Sequence, residues 1–147
     1  MRSLWNEEAY AEIVARIRAL TPDTRARWGR MNASRMLAHI SDQIRMALGD
    51  IAARRGSGFL SVPPINRLMI YVVPWPKGAR GPQEAFTTAP ESWGSDLQQL
   101  LVLVDRLREK RHHQLWPEHP MFGKLSGDDW AALSYKHLNH HLTQFGV

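Results

Sequence analysis

Four segments of this chain carry apolar residues at three- and four-residue spacing, and one long Pro- and Gly-rich stretch interrupts them. That pattern predicts amphipathic helices packed around a shared core. The first helix opens at Asn6, a good N-cap type, with Glu7 and Glu8 set favourably against the helix dipole. Ile13, Val14, Ile17 and Leu20 form its stripe, and Thr21-Pro22 ends it. The second begins near Asn32 or Ser34 and runs to about Leu48, with Met36, Leu37, Ile40, Ile44, Ala47 and Leu48 inward and Gly49 as its stop. The third spans about Ser95 to Lys110, with Leu97, Leu100, Leu101, Val104 and Leu107 as its core face. The fourth follows the capping pattern Ser126-Gly127-Asp128-Asp129, carries Trp130, Leu133, Leu138, Leu142 and Phe145, and stops at Gly146.

The interruption, Asp50 to Glu91, lies between the second and third helices and leaves room for one short helix, Ile65 to Val73, before Pro74. A connection this long in a compact domain is most simply a crossover. The expected fold is therefore all-α, a four-helix bundle in up-down-down-up order, with the whole chain 1–147 as one domain.

Composition narrows the chemistry. With no cysteine, the chain has no disulfide, no thiolate metal site and no cysteine nucleophile. Any metal must be held by histidine, carboxylate or backbone oxygen. The 19 Lys plus Arg outnumber the 14 Asp plus Glu, but the cations are scattered and form no run long enough for a nucleic-acid-binding tail. Solvated helix faces account for them, so nucleic acid is not an expected partner. The longest apolar run, Leu68 to Val73, is far too short for a bilayer, and Glu7 and Glu8 stand where a signal peptide needs an apolar core. A cytoplasmic protein without membrane contact is the expectation.

Seven histidines remain as the residues to follow. His137 and His141 stand four apart on the last helix and project from one face on successive turns. His140 points about 80° away from His141, toward the solvent side. The position after His137 is Leu138, not the glutamate that a zincin metalloprotease needs. His39 lies near the start of the second helix, beside Met36 and Gln43, and its flank faces either a neighbouring helix or water. If the second and fourth helices run antiparallel, as the crossover implies, His39 meets His137 and His141 at one end of the bundle. Three imidazoles with an open position can lower the pKa of a bound water or activate a substrate group. Such ligands suit zinc or nickel, and also iron or cobalt. Asp42, three residues after His39, is either an orienting or basic carboxylate or a solvated helix residue. His112, His113 and His119 carry no required role, and His119-Pro120-Met121-Phe122-Gly123 reads as an ordered turn. Phe59, Tyr71, Trp75 and Phe86 either roof the site or plug the bundle. There is no nucleotide-binding glycine pattern, and no serine sits in a nucleophile motif.

The run from His119-Pro120-Met121-Phe122-Gly123 through Trp130 to Lys136-His137-Leu138-Asn139-His140-His141-Leu142-Thr143-Gln144-Phe145-Gly146 resembles DinB-like proteins. It is most similar to a branch of unknown function that ends in Lys-His-x-x-His-His-Leu-x-Gln-Phe-Gly. Trp28 to Asn32 and Met36 to Asp42 also resemble the second-helix signature of that group. The resemblance implies a four-helix bundle, homodimers in many relatives, and a divalent metal on His39, His137 and His141. Several relatives are metal-dependent transferases of low-molecular-weight thiols; others are isomerases or hydrolases.

Two functions follow as expectations. The first is a metal-dependent thiol transferase or hydrolase acting on a small molecule at a three-histidine site. The other is a non-catalytic bundle, an interaction or stress-response module whose histidines are structural.

Overall fold

Short-range end signals set the helix boundaries in the computed structural model, which describes residues 2–147. The order is α1 (Glu7–Ala19), α2 (Ala33–Leu48), α3 (Ile65–Tyr71), α4 (Trp93–Glu109) and α5 (Gly127–Gln144), with 3-10 turns at Phe59–Ser61, Gln83–Phe86 and Lys110–His112. No strand occurs among the described residues, and no helix is long and apolar enough to cross a membrane.

Asn32 opens α2 by accepting the Arg35 N–H at 2.8 Å, and Gly49 closes it with φ 84°, a left-handed turn that glycine adopts without a Cβ penalty. Ser126 and Asp129 form a reciprocal capping box at the start of α5. Asn6 flanks α1 without capping it, because its Oδ1 accepts the Ser3 N–H instead.

α2 is the central element. It packs on α4, α5 and the Gln83–Phe86 turn, and nearly every face of it is buried. α1 covers α5 and α4, while α3 lies on α5. α4 starts two residues earlier than the sequence predicts and presents Leu100, Leu103, Val104 and Leu107 to the core. Leu97 and Leu101 fall to its half-buried flank. Leucine and valine occupy too many positions of α4 for its sequence alone to fix the inward side.

The long connection is built onto the helices by specific bonds. Lys136 on α5 donates to the carbonyls of Met69, Ile70 and Val73 at 2.8, 3.1 and 2.6 Å, capping the exposed end of α3. Its ammonium also lies 5.3 Å from the Trp75 ring centre, and Trp75 Nε1 donates to Met69 at 3.2 Å. Before α5, His119 and Gly123 pair as an antiparallel bridge. Gly123 has φ 68°, and a Cβ there would lie 2.8 Å from the Ser61 carbonyl oxygen, so only glycine fits.

Candidate metal centre

The start of α2 lies against the end of α5, and this brings His39 beside His137 and His141. His39 is buried, and its Nδ1 lies 2.7 Å from the Ala85 carbonyl oxygen. A carbonyl only accepts, so Nδ1 carries the proton and Nε2 is bare. Phe86 stacks on the same ring with centroids 4.3 Å apart. The Gln83–Phe86 turn thus fixes both the tautomer and the plane of His39.

His141 is held in the same way from the other side. Gln144 Nε2 donates to the Trp28 carbonyl at 2.8 Å, which orients the amide so that Oε1 faces His141 Nδ1, also at 2.8 Å. His141 therefore donates from Nδ1 and turns a bare Nε2 inward.

The two bare nitrogens, His39 Nε2 and His141 Nε2, lie 3.0 Å apart. His137 Nε2 is 3.0 Å from His39 Nε2, and one ring nitrogen from each of the three residues lies within 4.8 Å of the others. Two neutral acceptors face each other with no proton to share. Adding a proton is resisted: burial and the neighbouring His39 imidazole push His141 down to about 3, and burial and the neighbouring imidazoles hold His137 well below the ordinary histidine range. Burial lowers His39 as well. A divalent cation satisfies all three lone pairs at once. Metal–nitrogen bonds of about 2.0–2.1 Å in a tetrahedral site place ligands about 3.4 Å apart, so the 3.0 Å pairs need to open only a few tenths of an ångström. His137 Nδ1 has no hydrogen-bond partner, so this ring alone lacks an outer support.

Above the cluster is a cavity of about 270 Å³. Met31, Met46, Met69, Met121, Trp75 and Phe86 supply much of its apolar wall, and the three imidazoles line it too. This is the small end of ligand-sized pockets, enough for a compact apolar molecule. Of the four aromatics named from sequence, Trp75 and Phe86 line the cavity. Tyr71 instead donates to Asp129 at 2.8 Å, and Phe59 is 71% exposed.

Asp42 is no solvated helix residue: it is tied to the long connection. It is fully buried, and its oxygens accept from Thr87 N, Thr88 N, Thr88 Oγ1 and Arg45 Nη1 at 2.8, 2.7, 2.6 and 2.8 Å. The Ala85 carbonyl, not Asp42, orients His39. His140 does not point to open solvent: it is half-buried on the cavity wall, 6.1 Å from the ring centres of both Trp28 and Trp75. It stands outside the three-histidine cluster. His112 and His113 are exposed at the end of α4. His119, to which the spacing gave no role, is buried and lines the cavity.

Two consequences can be measured. Gln144→Leu removes the acceptor that sets the His141 tautomer, and metal affinity is expected to fall by about 10–100-fold in competition with a chromophoric chelator. The second concerns acid. Burial lowers His119 to about 4, and burial beside the His39 imidazole lowers His141 to about 3, against an ordinary 6.5. The unfolded chain then binds protons that the folded rings refuse. Stability of the metal-free protein is full above about pH 6.5 and drops as pH falls toward 4, by up to about 1.4 kcal/mol per pH unit for each ring. Urea unfolding across that range measures the slope, and a flat profile contradicts it.

Fold and site together define a class: an all-helical protein with three convergent imidazoles beneath an apolar cavity. The family model described as "Protein of unknown function (DUF1569)" matches residues 2–146, and the chain belongs to that family. No curated protein and no solved structure matches the chain at a significant level.

Proposed function

We propose that this protein is a DinB-like metal-dependent enzyme in which His39, His137 and His141 hold one divalent ion, zinc or nickel before iron or cobalt. The observation that carries the reading is the 3.0 Å approach of two Nε2 atoms whose Nδ1 protons are both committed outward. Three neutral imidazoles leave coordination positions open toward the cavity, and a metal there supplies Lewis-acid activation of a bound thiol or water. The substrate is a small molecule that fits the Met-lined cavity. A low-molecular-weight thiol is favoured because the resemblance to DinB-like proteins implies thiol transfer, with hydrolysis second, and with no cysteine in the chain such a thiol has to come from outside it.

The reading includes an up-down-down-up bundle of α1, α2, α4 and α5, with Asp50 to Glu91 as the crossover. Its support is the packing of α2 on α4 and α5, and the meeting of the start of α2 with the end of α5. A cytoplasmic homodimer belongs to the same reading.

Element-specific anomalous scattering from crystals of untreated protein tests it. The expected result is one divalent ion per chain among the three Nε2 atoms. A protein without stoichiometric metal, whose His141→Ala variant keeps its thermal stability and metal content unchanged, fits the non-catalytic module instead.

A further inference from the structure

His119 sits on the turn before α5, where its Nδ1 accepts two backbone N–H groups, from Met121 and Phe122, each at 3.1 Å. Those two donors require a bare Nδ1, so the ring proton is on Nε2. The ring is clamped between Phe122, at 4.8 Å between centroids, and Trp130, at 5.3 Å. It forms part of the cavity wall, and its Nε2–H has no acceptor among the described residues.

The turn alone does not explain an imidazole here. An asparagine offers an oxygen in nearly the place of Nδ1 and caps the same kind of turn. What histidine adds is a second, rigid N–H donor on a ring that lines the cavity, and that nitrogen is not one of the fully buried unpaired atoms, so a ligand in the cavity can reach it. We propose that His119 Nε2–H is the recognition donor of this cavity, and that it selects an apolar ligand bearing a carbonyl or carboxylate oxygen. The inference rests on the cavity being the ligand site, as proposed above, but not on the metal. Burial keeps the ring neutral down to about pH 4, so it stays an Nε2–H donor throughout the physiological range.

The test uses the full-length, chelator-treated protein and two probes, benzamide and toluene, alike in apolar body but different in acceptor oxygen. Long-range proton–nitrogen spectra of the labelled protein should show His119 as the Nε2–H tautomer. Benzamide should shift that resonance and toluene should leave it in place. His119→Asn, which keeps the turn acceptor, should weaken benzamide binding about tenfold and leave toluene binding unchanged. His119→Gln, whose amide reaches the Nε2 position, should recover part of the loss. The Met121 and Phe122 amide signals report whether the turn is intact in each variant. An Nδ1–H tautomer, equal benzamide affinity in the wild type and His119→Asn, or no response of the cavity to either probe overturns the proposal. Because no metal is present, a failure of the metal reading leaves each of these outcomes readable.

Discussion

Replacing His137 with leucine is expected to weaken metal binding by about 10²–10³-fold while leaving the metal-free protein as stable as before, or more so. The asymmetry comes from what the ring touches. His39 and His141 each hold an outward hydrogen bond, so truncating either orphans a carbonyl or amide oxygen. His137 has no such partner, and its Nδ1 is a buried polar atom with nothing to bond. Leucine has a similar volume, so it fills the same space and removes that orphan. Zinc binding to structural four-ligand sites is worth about 10–16 kcal/mol, or roughly 3 kcal/mol per ligand, so losing one ligand lowers affinity by about 10²–10³-fold. In the wild type, metal at about a hundred times its Kd adds about 2.7 kcal/mol, a rise of roughly 8 °C in melting midpoint for a chain of this length. Calorimetry with and without zinc reads both halves: the wild type shifts and His137→Leu does not. If the metal-free variant loses several kcal/mol and the wild type gains nothing from metal, His137 is a packing residue.

The parts legible in the sequence were those fixed within a few residues. Asn32 and Gly49 bound α2 by contacts inside one turn, and Ser126 with Asp129 does the same for α5. The convergence of His39 on His137 and His141 was legible too, because axial height depends only on where helices start and stop. Side-chain tasks set by distant backbone were not. Three of the four donors to Asp42 come from Thr87 and Thr88, 45 and 46 residues away in an aperiodic connection, so its position three residues after His39 gave no sign of the contacts that hold it. The burial of His140 likewise depends on Trp75, which Lys136 and Met69 hold over it. His119 left only a His-Pro-x-Phe-Gly turn signal. That its Nδ1 faces two amides and its other edge a cavity is a matter of local backbone geometry, which spacing does not encode.

Asp42→Ala should cost the fold about 3–5 kcal/mol and weaken the metal site through a contact chain that never includes the metal. The carboxylate is completely buried, and its loss leaves the Arg45 guanidinium, only 14% exposed, without its carboxylate, together with the amides of Thr87 and Thr88. Breaking one side of a buried ion pair falls in that energy range. The effect then travels along the chain. Thr87 and Thr88 directly follow the Gln83–Phe86 turn, whose Ala85 carbonyl sets the His39 tautomer and whose Phe86 stacks on the ring. Once released, the turn no longer holds His39 Nε2 toward His141. Metal affinity should fall by about 10–100-fold even where the variant is fully folded, the scale expected when a ligand's outer support is lost. Denaturant unfolding and chelator competition on the same sample separate the two effects. If Asp42 acted as a base beside the metal, Asp42→Asn would keep stability and affinity together and lose only turnover. For an anchor, even this near-isosteric change lowers both, because one amide group cannot accept from the four donors that the carboxylate accepts now.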